Sequence, residues 1–170
     1  ATGIPGLGGD FVAALTRLKE QVDPRAYRNA IALGTSGGGV CAVMAAIALG
    51  LQRGISVSGE HFQTMAARLR GQGLSDAPFA ALLASRPHPF PELILAYGEA
   101  SRPDEMAAVA LQQLVPSRLE KVRHCVEHAV LAWHHRRGTL PAYLSRLLGQ
   151  SLEQRDLVAM THWSSAGQRA

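Results

Sequence analysis

Short apolar runs along the chain alternate with stretches in which apolar positions recur every three or four residues. That alternation predicts strands and helices in turn. Ala1 to Gly9 is glycine-rich and reads as a loop. Asp10 is placed to cap a helix from Phe11 to Val22, with Phe11, Leu15 and Leu18 on one face and Asp23-Pro24 to stop it. Arg28 to Gly34 is a short apolar strand, Thr35 to Gly39 a turn, and Val40 to Leu51 a helix of small residues. Ile55 to Ser58 is a second strand. Glu60 to Ser85 is helical, broken near Gly71-Gln72-Gly73, and Pro87 to Pro91 is a stiff linker. Glu92 to Tyr97 is the clearest strand, ending at Gly98. A polar loop, Glu99 to Pro103, leads to an amphipathic helix from Asp104 to Leu114 and a weaker strand, Arg118 to Val122. After His128 a helix runs to Arg136, Gly138 breaks it, and Leu140 to Leu148 forms the last helix.

Strands followed by helices, four times over, predict an α/β domain. It is a parallel sheet of about four strands flanked by helices, with right-handed crossovers. Residues 1–150 are expected to form this single domain and 151–170 a C-terminal tail. Such sheets carry their reactive groups at the C-terminal ends of the strands. The alanine-rich runs leave an all-helical chain as the competing expectation.

With 47% hydrophobic and 18% charged residues in 170, the chain is long and apolar enough for one real core. The net charge of +4 comes from scattered arginines, among them Arg68, Arg86, Arg118 and Arg137, and aromatics are only 5%. No basic stripe with interleaved aromatics results, so nucleic acid is not an expected partner. The two cysteines, Cys41 and Cys125, are too few for a disulfide framework and lack metal-site spacing; Cys41 reads as a core residue. No cofactor or metal is implied. The most apolar run, Val40 to Leu51, is too short to span a membrane. No secretory leader is visible, and the cytoplasm is the default expectation. The opening at Ala1 without Met leads to the expectation that the true N-terminus lies upstream.

Gly34-Thr35-Ser36-Gly37-Gly38 matches G-x-S-x-G, with an apolar strand before it and a helix after it. A strand that turns at once into a helix holds its serine in a strained conformation. It also crowds the positions two before and two after. Gly34 and Gly38 are expected to meet that demand, with Gly39 relaxing it further. The helix N-terminus favours developing negative charge beside the serine. The lack of a following Lys rules out a phosphate-binding P-loop, and the spacing does not fit a dinucleotide loop.

A serine hydroxyl needs a base, and the base needs a carboxylate to fix its tautomer and stabilise its cation. Glu99, Asp104 and Glu105 follow the third strand, and His124 and His128 follow the fourth. His134 and His135, neighbours on a helix, do not share a face for metal binding. His88 reads as a surface residue, and His61, near a strand end, as structural or pocket-lining.

Tyr27 to Gly39, Leu93 to Gly98 followed by Asp104, and His124-Cys-Val-Glu-His-Ala-Val130 resemble the nucleophile elbow, acid loop and histidine loop of α/β-hydrolases. Gly138-Thr-Leu140 with Tyr143-Leu144 resembles the closing helix. The resemblance spans Tyr27 to Leu148. It implies Ser36 as nucleophile, Asp104 as orienting acid, His128 as general base, and the N–H of Gly37 as an oxyanion donor.

That family also has strands before the nucleophile strand and a second oxyanion donor after one of them. No residue here is assigned to that donor. The expectation is that the chain is the C-terminal portion of a longer polypeptide; pairing with a second chain that completes the sheet, and a divergent, inactive relative, are the alternatives. The leading function is a serine esterase or thioesterase acting on a small-molecule or acyl-chain substrate. An acyltransferase with the same triad and a non-catalytic binding or assembly module are the competitors. Glu60 to Pro91 would then cap the pocket, with Phe62, Met65, Phe79 and Leu82 either touching an acyl chain or packing in the core.

Overall fold

The computed structural model describes residues 11–21, 23, 26–71, 73 and 75–150. The expected loop over 1–9, the Asp10 cap, the Pro24 stop and the tail beyond 150 lie outside these residues. The elements are α1 (Phe11–Gln21), β1 (Ile31–Thr35), α2 (Gly37–Leu49), β2 (Arg53–Val57), α3 (Phe62–Gly71), α4 (Ala77–Ala84), β3 (Glu92–Gly98), α5 (Arg102–Leu114), β4 (Arg118–Val122), α6 (Val130–Arg136) and α7 (Leu140–Leu148). The chain divides into two compact units, residues 1–130 and 131–170.

In the first unit the four strands form one parallel sheet in the order β1-β2-β3-β4. The fold is therefore α/β, and the all-helical alternative is excluded. The alternation of side chains along a strand sorts β3 onto two faces. Leu93 and Leu95 join a core with Val40, Val43, Met44 and Ile47 of α2, Phe79 and Leu83 of α4, and Leu111 of α5. Ile94 and Ala96, on the opposite face, are also fully buried. A strand buried on both faces must be apolar throughout, which is why this run is the plainest in the sequence. β1 is at the edge of the described sheet, and Leu33 there is 38% exposed.

Phe62, Met65 and Leu82 pack against the same core that contains Phe79. This is the core-packing alternative for these residues, with Phe62, Met65 and Leu82 only partly buried. Phe11 of α1 stacks on Phe79 with ring centroids 6.0 Å apart, joining the first helix to this layer.

α2 begins at Gly37, three residues earlier than the helical pattern indicates, and β1 begins at Ile31, three residues later than expected, and ends at Thr35. Three successive glycines have poor helix propensity, and of the three only Gly39 packs closely on β2, against Ser56. The register pairs Thr35 with Val57, Val57 with Ala96, and Ala96 with Glu120. β1 and β2 therefore end at one level, that of Ala96, and β3 and β4 run two residues further, to Gly98 and Val122.

In the second unit, His134 of α6 stacks on Tyr143 of α7 with centroids 3.9 Å apart. Arg146 lies over the Tyr143 ring and Arg137 over Trp133. Gly138 and Gly149 have φ of 67° each, and Gly149 ends α7 as a left-handed cap.

Candidate active site

Ser36 stands between the last residue of β1 and the first of α2, with φ 51° and ψ −126°. A non-glycine residue in that region costs about 1–3 kcal/mol and persists only where its surroundings hold it. Here its N–H donates to Val57 O at 3.1 Å, and its carbonyl accepts from Gly39 N–H at 2.9 Å and Glu60 N–H at 3.1 Å. A Cβ on Gly34 would lie 2.0 Å from Gly38 O, so position 34 admits nothing larger than glycine. Gly38 departs from expectation: a Cβ there would meet nothing within 4 Å. The crowded partner is Gly39, where a Cβ would lie 2.3 Å from Ser56 Oγ and 2.8 Å from Gly59 Cα. Packing of α2 on β2 sets this demand, beyond the turn itself.

Backbone bonds link the strand ends in a row. Ser36 N–H donates to Val57 O, Ser58 N–H to Ala96 O at 2.7 Å, and Glu99 N–H to Val122 O at 3.0 Å. The loop after β4 then folds back over β3. Cys125, fully buried, accepts a hydrogen bond at its carbonyl from Ala100 N–H at 3.2 Å. His124, with φ 61°, donates its N–H to Glu99 Oε2 at 2.7 Å. Gly98 lets the loop rest directly on the strand end.

His128 is thereby carried back toward Ser36. Its Nδ1 lies 2.8 Å from Asp104 Oδ1, and its Nε2 lies 3.1 Å from Ser36 Oγ. Asp104 is the third residue of α5, after Ser101 at the N-cap, and it is 5% exposed. An ionised carboxylate only accepts hydrogen bonds, so Nδ1 carries the proton and Nε2 offers a lone pair to the Ser36 hydroxyl. The N-terminus of α5 favours the carboxylate's charge. Gly37 opens α2, so its N–H has no partner within the helix.

The neighbouring Glu105 fixes this helix start. Its carboxylate lies 3.0 Å from Lys121 Nζ of β4 and accepts from Tyr97 OH of β3 at 3.4 Å. The hydrogen bond and charge of Lys121 hold Glu105 below the usual carboxylate range, and Glu105 raises Lys121 in return. Burial pushes the Tyr97 hydroxyl up. Burial likewise raises the Cys41 thiol.

The remaining candidates have other partners. Glu99 holds the His124 backbone, and His61 Nδ1 accepts from Gln63 N–H at 3.2 Å at the start of α3. His88 is exposed, and His134 and His135 belong to the second unit. Sequence reasoning missed Gly98, Ser58 and the pair of Glu60 with Arg68, joined at 2.7 and 3.1 Å. Glu60 Oε2 would stand 3.7 Å from a Cβ on Gly37, so this ion pair borders the elbow. Among the described residues no group of three or more His, Cys, Asp or Glu could hold a metal, and no helix is long and apolar enough to cross a membrane.

The fold is a parallel α/β sheet, and the candidate site is a serine–histidine–carboxylate line across its C-terminal edge. No family model matches the chain, and no curated protein matches it in sequence. Among solved structures, the chain is similar to MGS-MChE2, an α/β hydrolase enzyme from the metagenome of sediments from the lagoon of Mar Chica, Morocco. The identity is 18% over 78% of this chain and 74% of that one, with a TM-score of 0.47.

Proposed function

We propose that the protein is a serine hydrolase cleaving an acyl ester or thioester through an acyl-enzyme on Ser36. The observation that carries this reading is the placement of one imidazole between Asp104 at 2.8 Å and Ser36 at 3.1 Å. Ser36 Oγ attacks the acyl carbonyl as its proton passes to His128 Nε2. The imidazolium is stabilised by Asp104 across the Nδ1–H bond. The oxyanion of the tetrahedral intermediate faces the N–H of Gly37 at the start of α2. Collapse expels the alcohol or thiol, which takes the proton from Nε2. Water then repeats the sequence and releases the acid; an acceptor other than water makes the same groups an acyltransferase. Positioned proton transfer of this kind contributes about 10²–10⁴ in rate.

The test is covalent. A fluorophosphonate probe is expected to label the intact chain on Ser36 and to leave Ser36→Ala unlabelled, with loss of p-nitrophenyl butyrate hydrolysis in the same variant. An intact, folded chain that takes no label overturns the reading.

A further inference from the structure

Two buried polar atoms near this site have no hydrogen-bond partner among the described residues: Oγ of Ser58 and Oδ2 of Asp104. Ser58 is 3% exposed and Asp104 5%. One atom belongs to a hydroxyl that can donate, the other to a carboxylate that accepts. Buried groups of this kind are almost always paired.

The topology places them together. Ser36 follows β1, Ser58 follows β2 and Asp104 lies beyond β3, and Thr35, Val57 and Ala96 share one level across the three strands. Adjacent strands are about 4.8 Å apart, so the line from Ser36 through His128 to Asp104 crosses the end of β2. Ser58 is the residue at that end, held by its N–H bond to Ala96 O on β3. It also has φ 50°, a left-handed conformation that serine adopts only under constraint.

We propose that Ser58 is a positioning residue whose hydroxyl donates to Oδ2 of Asp104, directly on rotation about its Cα–Cβ bond or through one water. With Oδ1 engaged by His128 and Oδ2 by Ser58, the carboxylate cannot turn, and the imidazole keeps its tautomer and direction. The inference rests on the catalytic reading of Ser36, His128 and Asp104, but its test does not need turnover.

The experiment is nitrogen NMR of the His128 ring tautomer at one fixed pH in the full chain, in Ser58→Gly, Ser58→Ala, Asp104→Ala and the double variant Ser58→Gly/Asp104→Ala. Glycine accepts φ 50° without strain, so Ser58→Gly removes the hydroxyl and keeps the backbone. Both Ser58 variants are expected to raise the share of the tautomer protonated on Nε2, because a loosened carboxylate holds the Nδ1 proton less firmly. In the Asp104→Ala background, Ser58→Gly is expected to add nothing. Fluorophosphonate labelling of Ser36 should slow about tenfold in both Ser58 variants, a loss of about 1.4 kcal/mol in barrier terms. An unchanged His128 tautomer share in Ser58→Gly, or an equal change with and without Asp104, overturns the proposal. Failure of the hydrolase reading shows separately, as absent labelling of the unmodified chain.

Discussion

A side chain on Gly98 would put its first carbon 2.8 Å from Glu127 O and 2.9 Å from Cys125 O. The end of β3 is therefore the floor on which the histidine loop rests. Gly98→Ala should lift that loop by roughly 1 Å, and a misplacement of that size costs on the order of 10² in rate. Slower fluorophosphonate labelling by about that factor, with an unchanged far-ultraviolet dichroism spectrum, is the expected result. Labelling at the unmodified rate would show that the loop does not set the position of His128.

Asp104 and Glu99 both follow β3, and they should respond differently to loss of charge. Asp104→Asn leaves a group that can donate to Nδ1, favouring the tautomer with its proton on Nε2, facing Ser36. The expected loss in kcat is on the order of 10⁴. Glu99→Gln keeps an oxygen for the His124 N–H, so its ester hydrolysis should stay within about threefold, the scale of a lost surface charge. Steady-state rates with p-nitrophenyl butyrate separate the two. A loss below tenfold in Asp104→Asn would remove Asp104 from its assigned role.

Much of the architecture was legible where a strand is an apolar run, as Leu93 to Gly98 shows, and least so at β4, whose Arg118-Leu-Glu-Lys-Val122 is mostly charged. The sharp turn at Ser36 was legible because a strand entering a helix at once requires glycine at position 34, although position 38 carries no such requirement here. The start of α2 was not legible. Propensity argues against Gly37 to Gly39 in a helix, and the close approach of Gly39 to Ser56 and Gly59, residues distant in the sequence, is invisible to it. Spacing alone left Glu99 beside Asp104, and the resemblance favoured Asp104. That choice depends on α5 beginning at Arg102, which puts Asp104 in the first turn. Gly98 and Ser58 acquire their importance from a loop and a carboxylate that sequence spacing alone does not bring near them.

The three elbow glycines should differ in their tolerance of alanine. Gly34→Ala forces a methyl group into Gly38 O and Gly39→Ala into Ser56 and Gly59. Overpacking of this kind costs about 1–3 kcal/mol or more, and backbone contacts relieve it poorly. Gly38→Ala meets open space within a helix and should stabilise by about 0.4–1 kcal/mol. Urea unfolding of the three variants checks the order. Equal destabilisation at Gly38 and Gly39 would contradict the packing described for α2.

The second unit should weaken as pH falls, through His134. Thr139 donates its hydroxyl to His134 O at 3.3 Å, so its oxygen accepts from Nδ1–H at 2.8 Å, and the ring's neutral form leaves Nε2 buried without a donor. Protonating Nε2 would bury a cation; burial first, then the charges of Arg146 and Arg137, lower the His134 pKa from 6.5. The unfolded chain therefore binds this proton at a higher pH than the folded one. The contribution to stability is complete above 6.5 and declines as pH falls from there to the lower folded value. His134→Phe keeps a ring against Tyr143 and removes the titration. Between pH 7.5 and 5 the thermal midpoint of the unmodified chain should drop further than that of His134→Phe. Equal drops in the two proteins would mean that His134 is not held neutral by its surroundings.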